Sequence, residues 1–266
     1  MSTHSSHSSR ALRVIKFGGA IVDDAQLRSR ALRSVADVVN NNERCIVVHG
    51  GGEMASALLR QLGVEPMMVE GRRITDEYTL RIVTMVYAGL INTSLVAELQ
   101  SLGCNAVGMR GCDDDVIRSR KRSGSHIDYG FVGDIEYVRA DRLLHHGEEG
   151  RLPVLAPITH DGKGQLLNTN ADTVAAEVAM ACAESCDVEV IYCFAHNGVL
   201  RDKNDPTSVI NELDIAEMEE MKQSGAADGG MVAKLQNAAA LAARGIDVRI
   251  CSVDDYHGGT RIRGVR

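Results

Sequence analysis

The chain has 266 residues, of which 44% are apolar and 24% charged, and its formal net charge is −7. This acidic balance argues against nucleic acid as a partner, because a phosphate backbone needs a basic face. No apolar run is expected to approach the length of a membrane span, and no charged-then-apolar signal segment opens the chain.

The seven cysteines are an odd-numbered set without a C-x-x-C pair, and most lie within apolar runs. Reduced thiols in the core of a cytoplasmic protein explain them better than disulfides or zinc sites do. We therefore expect a cytoplasmic protein with no protein-bound metal.

The first half of the chain alternates between short apolar strands and longer helical runs. In order, the pattern predicts a strand over 12–17, a helix over 23–41, a strand over 45–48, a helix over 53–62, a helix over 76–102 and a strand over 105–109. Asp23 or Asp24 caps the first helix, and Gly63 and Gly103 end the second and third.

The second half begins with a different pattern and then returns to alternation. Residues 113–138 are charged, contain Gly and Ser, and are typical of a hairpin. The later elements are a strand over 152–156, a helix from 168 to 182, a strand over 188–194, helices over 214–223 and 231–244, and a strand over 247–251. This order predicts an α/β fold, a three-layer αβα sandwich with a mostly parallel central sheet.

The hairpin zone and the turn near Gly164 divide the chain into two unequal lobes that share one sheet. The lobes are expected over residues 12–166 and 167–266, after a disordered tail over 1–11.

Two lysines at opposite ends of the chain each lie beside a glycine pair. Lys16 precedes Gly18-Gly19 at the end of the first strand, and Lys234 follows Gly229-Gly230 at the start of a late helix. Glycines next to a lysine let backbone N–H groups and an ammonium converge on one anion. Phosphoryl transfer needs such an arrangement, because its transition state carries charge that must be held in place.

A third glycine run, Gly50-Gly51-Gly52, joins a strand to a helix and predicts an anion site at the helix N-terminus. The same run resembles a dinucleotide fingerprint, with Glu70 near the expected ribose-binding position. That alternative leaves Lys16 and Lys234 without a role. A tight turn alone would explain one or two glycines but not three, and the phosphate-binding motif G-x-x-x-x-G-K-[ST] is absent.

Two further segments carry polar groups at predicted helix starts. Arg72 and Arg73 precede the helix over 76–102, and an arginine there suits a bidentate grip on a carboxylate, although either could be a surface charge. Asn168, Asn170 and Asp172 open a later helix. Capping needs one such residue, so three in five positions suggest ligand contact, with Asp172 orienting the lysines.

No convincing general base accompanies these groups. His49 precedes the glycine run, and a lone histidine there is more often structural than catalytic. A carboxylate or carbamate acceptor needs no base, because its oxygen is already an anion. The sequence therefore favours a carboxylate acceptor over a hydroxyl.

These segments together resemble the amino acid kinase family, and within it the N-acetylglutamate kinases. The ordered set, rather than any one motif, carries the resemblance from residue 12 to the end of the chain. The matching segments are Lys16-Phe17-Gly18-Gly19, Val48-His49-Gly50-Gly51-Gly52, Gly71-Arg72-Arg73-Ile74-Thr75-Asp76, Asn105-Ala106-Val107-Gly108, Leu152-Pro153-Val154, Asn168-Thr169-Asn170-Ala171-Asp172 and Gly230-Met231-Val232-Ala233-Lys234.

The resemblance implies a reaction of ATP, with Mg²⁺, and an N-acyl-L-glutamate that gives the γ-glutamyl phosphate and ADP, a step of arginine synthesis. It implies that Lys16 and Lys234 hold the transferring phosphoryl group and that Asp172 orients both. Arg73 and Asn168 would bind the acyl amino acid in the N-terminal lobe, with nucleotide in the C-terminal lobe. Four glycines would offer N–H groups to phosphate and to the acceptor carboxylate: Gly18, Gly19, Gly51 and Gly52.

The chain departs from the family pattern at two positions. Ala195 stands where relatives carry an aspartate, which leaves open how the nucleotide is held. Arg72 stands where relatives carry leucine, so it could reach a second carboxylate, such as that of an N-succinyl group, or point to solvent.

A third departure concerns assembly. Arginine-inhibited relatives carry an extra N-terminal helix that links dimers into hexamers. About a dozen residues, mostly Ser and His, precede the first strand here, too few for a stable helix. We expect a homodimer that arginine does not inhibit.

Three alternatives remain open at this stage. The first is an amino acid kinase with another acid acceptor, namely N-succinyl-L-glutamate, N-acetyl-aminoadipate or carbamate. The second is a sensor that keeps the fold without catalysis, although both lysines and Asp172 are present. The third is a dinucleotide-dependent dehydrogenase.

Overall fold

The computed structural model describes residues 11–69, 71–123, 126–194, 197–202, 204–205, 207–223 and 229–264. In the two helices nearest the C-terminus, the side chains of residues 222–223, 229–234 and 236 are outside this description. Residues 1–10 of the predicted tail and Ala195 also lie outside it, as does the side chain of Lys234.

A large, mostly parallel sheet forms the centre of the described structure, as predicted. Its strand order is β12-β14-β13-β11-β1-β2-β8-β5, and among these pairings only β13 with β14 is antiparallel. The strands are β1 (Leu12–Phe17), β2 (Arg44–His49), β5 (Ala106–Met109), β8 (Leu152–Leu155), β11 (Val188–Phe194), β12 (Glu212–Asp214), β13 (Asp247–Ser252) and β14 (Thr260–Arg263).

Two smaller sheets lie outside the central one. Four strands with order β10-β9-β6-β7 include the predicted hairpin and the turn near Gly164, and a two-stranded hairpin carries Arg72 and Arg73. These strands are β3 (Met68–Val69), β4 (Arg72–Arg73), β6 (Ile117–Lys121), β7 (Gly133–Val138), β9 (Ile158–His160) and β10 (Leu166–Asn168).

Helices cover both faces of the central sheet. They are α1 (Gly19–Asp23), α2 (Ala25–Asn40), α3 (Gly52–Gln61), α4 (Glu77–Thr84), α5 (Asn92–Ser101), α6 (Ala140–Glu148), α7 (Ala171–Ala183), α8 (Ile215–Gln223) and α9 (Gly229–Ala242). A π-helical turn, Met85–Ile91, joins α4 to α5, and Asp113–Asp115 form a 3₁₀ turn. Helix α2 begins at the predicted cap, where the Asp24 carboxylate accepts bonds from two backbone N–H groups.

Alternation along β1 explains the three layers. Ile15 and Phe17 join the core on the side of α2 and α3, whereas Leu12 and Val14 join the core on the side of α7 and α9. Lys16 is two residues after Val14 and four after Leu12, so its side chain points to the same face of the sheet as theirs, the side of α7.

One helical run corrects an expectation. By length and composition, Glu77–Ser101 is long and apolar enough to cross a membrane, with a mean hydropathy of 1.5, so the expectation that no run reaches this size is wrong. Its inner side chains, among them Val83, Leu95 and Leu99, lie in the core beside α2 and α3. The run therefore packs as a core helix, which passes the same test.

Candidate active site

One cavity in the described part of the chain brings most of the predicted site residues together. Its volume is about 180 Å³, far above the roughly 10–15 Å³ that a single water needs, so it admits a small organic ligand. The predicted residues that line it are Lys16, Gly19, Gly51, Gly52, Arg72, Arg73, Asn168 and Asp172.

A buried ion pair lies at one end of this cavity. Lys16, near the carboxyl end of β1, is only 5% exposed, and its Nζ is 2.6 Å from Asp172 Oδ1 in the first turn of α7. Asn170 caps α7, since its Oδ1 accepts bonds from the N–H groups of Asp172 at 2.8 Å and Thr173 at 3.1 Å. The cap fixes the turn that carries Asp172, and Asp172 in turn fixes the ammonium of Lys16.

Two glycine turns meet beside Lys16. A Cβ built on Gly18 would lie 3.9 Å from Lys16 Nζ, and one built on Gly19 would lie 3.8 Å from the Gly52 nitrogen. Helix α3 begins at Gly52 with Gly51 as its N-cap and has no side-chain cap. The first N–H groups of α3 therefore have no side-chain acceptor, and they are suited to an anion.

Close packing explains why Gly51 has no side chain. A Cβ at Gly51 would lie 2.1 Å from Ile91 Cδ1 and 3.4 Å from Tyr87 Cδ1, both in the π-helical turn. The long helical run thus presses directly against the glycine turn and leaves no room for a larger residue.

Arg73 lies at another wall of the cavity, 5% exposed, in β4. Its Nη2 donates to the carbonyl oxygen of Gly52 at 2.7 Å and to Ser56 Oγ at 2.8 Å. Its Nε and Nη1 are buried without a hydrogen-bond partner. Unpaired buried N–H groups on a charged side chain are costly, and a carboxylate is the ligand that satisfies them best.

Asn168 is linked to Arg73 through one hydroxyl. Asn168 Nδ2 donates to Thr75 Oγ1 at 3.0 Å, and Thr75 Oγ1 donates to the carbonyl oxygen of Arg73 at 2.8 Å. Asn168 and Thr75 are buried. This chain of bonds holds the end of β10 and the end of β4 at a fixed separation across the cavity.

Arg72 and Met68 form the outer part of the cavity wall. Both belong to the β3–β4 hairpin, where Met68 pairs with Arg73 and Val69 with Arg72. Arg72 is half-buried, so the chain has two neighbouring arginines at the cavity. The hairpin itself is absent from the sequence predictions.

His49 is structural, as the sequence suggested, and does not line the cavity. It is fully buried, and burial lowers its pKa to about 4, although its bond to Gly50 opposes this shift. Its Nδ1 lies 2.9 Å from the Gly50 oxygen, and its Nε2 lies 3.1 Å from Asn92 Nδ2. The neutral ring therefore joins the glycine turn to α5.

Two predicted features lie outside the described residues. Lys234 belongs to α9, but its side chain is not described, and the same holds for Ala195 as a whole. The convergence of Lys234 on Asp172 therefore stays a prediction.

Sequence reasoning missed Tyr87, which lines the same cavity and is 6% exposed. Within an apolar helical run, a tyrosine looks like any core residue. A π-helical turn also shifts which side chains face inward, and a pattern with a 3.6-residue period does not reveal it.

The cavity thus combines the buried ammonium of Lys16, the guanidinium of Arg73 with two nitrogens that lack a hydrogen-bond partner, and backbone N–H groups. These groups lie at the carboxyl ends of parallel strands. Among the cavity-lining residues described, Asp172 is the only carboxylate, and it is bound to Lys16. Such a site holds anionic groups and charge that develops on them, which is the task of a phosphotransferase.

Comparison with known proteins agrees with this class. The model of the amino acid kinase family matches residues 11–252, and the chain belongs to that family. An acetylglutamate kinase of Bacteroides thetaiotaomicron is 46% identical over 255 residues, covering 95% of this chain and 98% of the relative. One from Cytophaga hutchinsonii is 48% identical over 227 residues, covering 85% of each.

A solved structure shares the fold. N-acetylglutamate synthase from Neisseria gonorrhoeae, complexed with coenzyme A and N-acetyl-glutamate, superposes with a TM-score of 0.83 at 18% identity. The match covers 96% of this chain and 60% of the other. At this identity the likeness concerns the fold alone.

Proposed function

We propose that this chain is an N-acetylglutamate kinase, which transfers the γ-phosphoryl group of ATP to the γ-carboxylate of N-acetyl-L-glutamate. The observation that carries the proposal is the buried Lys16–Asp172 pair, which lies between two glycine turns in the cavity that Arg73 also lines. The names of the two relatives above support this choice of acceptor.

The reaction balances without a general base. A γ-carboxylate oxygen forms a bond to the γ-phosphorus of ATP while the bond from that phosphorus to the β–γ bridging oxygen breaks. The products are γ-glutamyl phosphate and ADP, and no proton moves in this step. The neutral, buried state of His49 and its absence from the cavity agree with this scheme.

Lys16 and the glycine N–H groups do the electrostatic work at the phosphoryl group. The ammonium of Lys16 balances the charge on the transferring oxygens, and Asp172 holds that ammonium in place. The N–H groups of Gly18, Gly19, Gly51 and Gly52 add fixed dipoles. A similar role for Lys234 from the second lobe, over residues 167–266, rests on the sequence motif.

Arg73 binds the α-carboxylate of the acyl amino acid through Nε and Nη1, its two N–H-bearing nitrogens without partners. Because Lys16 and Asp172 mark the phosphoryl end, the substrate lies with its two carboxylates toward different ends of the cavity. Asn168, held by Thr75, contributes an amide at the same wall. Carbamate has no second carboxylate for Arg73, so it fits this cavity less well.

Mg²⁺ enters this scheme together with ATP. The described residues contain no cluster of three His, Cys, Asp or Glu side chains able to hold a metal ion, and Asp172 is engaged by Lys16. The described donor set does not fit a metal site made by the protein. Mg²⁺ would instead arrive with ATP and would offset the negative charge of its phosphates.

A cytoplasmic homodimer is the assembly we propose. Three large apolar side chains on the long helical run are exposed in the single chain, Tyr78 at 44%, Met85 at 57% and Leu90 at 58%. Exposed apolar groups of this kind suit a protein contact. All seven cysteines are free thiols, which agrees with a reducing compartment.

N-succinyl-L-glutamate is a second candidate acceptor, because Arg72 lines the same cavity as Arg73. The distal carboxylate of a succinyl group could pair with this second guanidinium. Turnover of the two acyl-glutamates by the purified chain distinguishes the candidates, and a large preference for the acetyl compound would remove the second.

The test of the main proposal is ADP release in a coupled assay with MgATP and N-acetyl-L-glutamate. Hydroxylamine in the same mixture should trap the acyl phosphate as a hydroxamate in equal amount. ADP release without hydroxamate would indicate ATP hydrolysis, and release of neither product with any acid would favour a non-catalytic sensor.

A further inference from the structure

Among the described residues that line the cavity, Tyr87 is titratable and has no role in the proposed mechanism. It lies in the π-helical turn Met85–Ile91, and it is 6% exposed. Its neighbours in the cavity wall include Arg73 and the Gly51-Gly52 turn. π-Helical turns are rare and often occur at functional sites.

The phenol ring has a fixed orientation. Tyr87 Cδ1 and Cε1 would lie 3.4 and 3.5 Å from a Cβ built on Gly51, so one edge of the ring packs against this glycine. The Tyr87 hydroxyl oxygen would lie 4.0 Å from a Cβ built on Gly52, and Arg73 Nη2 would lie 3.9 Å from the same point. The hydroxyl and the guanidinium therefore converge at the start of α3.

The electrostatics make Tyr87 a hydrogen-bond donor. Burial raises the pKa of its phenol, the charge of Arg73 and a hydrogen bond with Arg73 lower it in part, and Asp23 adds a smaller increase. The group is therefore a neutral O–H at physiological pH. It shares the cavity with Arg73, whose Nη2 lies near the same point at the start of α3 and whose Nε and Nη1 have no hydrogen-bond partner.

We infer that the Tyr87 hydroxyl donates a hydrogen bond to the carboxylate that Arg73 binds, and so contributes to substrate specificity. The inference rests on the proposed function, in which that carboxylate is the α-carboxylate of an N-acyl-L-glutamate. One carboxylate has about four lone-pair sites, enough for both donors. The Tyr87 hydroxyl and the Arg73 guanidinium both donate, so together they favour a carboxylate, in which both oxygens accept. In a carboxamide the NH₂ group would face one of these donors and could not accept a hydrogen bond from it.

The alternative role for Tyr87 is packing alone, since its ring contacts Gly51. Tyr87→Phe separates the two roles because it keeps the ring and removes only the oxygen. We expect at least a ~10-fold increase in KM for N-acetyl-L-glutamate, as for loss of a hydrogen bond to a charged group. The kcat, the KM for ATP and the melting temperature should stay close to wild type.

Tyr78→Phe is the matched control. It removes the same atom from the same helical run, at a side chain that is 44% exposed and does not line the cavity. All kinetic constants of this variant should equal those of the wild type. Calorimetric titration of N-acetyl-L-glutamate without ATP should give the same contrast in Kd.

The failures are distinguishable. If the wild type phosphorylates no acyl-glutamate, the proposed function fails. If the wild type is active and Tyr87→Phe binds N-acetyl-L-glutamate normally, or loses kcat and melting temperature together, the inference alone is overturned. Should Tyr87→Phe not fold, the wild type can be titrated with the α-amide of N-acetyl-L-glutamate. Binding as tight as that of the acid would overturn the inference, and a preference for the acid that is at least ~10-fold smaller in Tyr87→Leu than in the wild type would support it.

Discussion

Asp172→Asn removes one charge from the buried pair with Lys16 and keeps the shape of the side chain. Lys16 then lacks its carboxylate partner in a site where its side chain is only 6% exposed. Removing one partner of a buried pair costs about 3–5 kcal/mol. Because 18% of the Asp172 side chain is exposed and faces the cavity, water reduces this cost, and we expect ~2–3 kcal/mol.

This loss of stability corresponds to a fall in melting temperature of ~5–10 °C for a chain of this size. The kcat should fall about 100-fold, because Lys16 is no longer held in position, while the KM for N-acetyl-L-glutamate changes little. Scanning calorimetry and the coupled ADP assay measure the two effects. At saturating substrate the measured kcat does not depend on how tightly the substrate binds.

Glu77→Gln is the matched control for Asp172→Asn. Glu77 pairs with Arg81 at 2.5 Å, but both side chains are about 70% exposed. The same carboxylate-to-amide change should leave melting temperature and kcat unaltered, since exposed pairs of this kind contribute little. A kcat and melting temperature of Asp172→Asn equal to the wild type would refute the role of the pair.

Three further predictions concern the turns around the site. Lys16→Ala and Lys234→Ala should each lower kcat far more than they raise KM, and mainly raised KM values would mean that these lysines only bind substrate. Because the folded-state pKa of His49 is about 4, below its ordinary value of 6.5, the unfolded chain binds the extra proton between these values. Stability should therefore fall as pH drops from 6.5 towards 4, by at most ~3 kcal/mol, and urea unfolding of His49→Gln should lack this component. Gly51→Ala should reduce stability and kcat because its Cβ meets the π-helical turn, whereas Gly89→Ala, with open space around it, should leave kcat unchanged and raise stability slightly.

The regular part of the fold follows closely from the sequence. Strands β1 and β11 begin and end at the predicted residues, because both are mainly apolar runs rich in β-branched residues and bounded by polar groups or glycine. The Asp24 cap was likewise predictable from its position before an amphipathic run. The hairpin that carries Arg72 and Arg73 was not, since strands of two residues have no periodicity.

The site was predictable only in part. Lys16 and Asp172 are far apart in the sequence, and their contact depends on which strand and helix the topology brings together, so the residue pattern and the family resemblance suggested the link without placing the two groups. Arg73 and Asn168 were proposed from their residue types at predicted helix starts and from the resemblance, and both line the cavity. Tyr87 was missed, because its role depends on a local change of helical period that no composition signal marks.

The π-helical turn has a consequence for enzyme assembly. Its inner side carries Tyr87 and contacts the glycine turn, while Met85 and Leu90 on the same seven residues are exposed. A second copy that packs on Met85 and Leu90 would stabilise the register that presents Tyr87 to the substrate. By reciprocity, substrate would then tighten the dimer, and the KM for N-acetyl-L-glutamate would rise on dilution below the dimer dissociation constant. Subunit concentration would act on this enzyme as an effector.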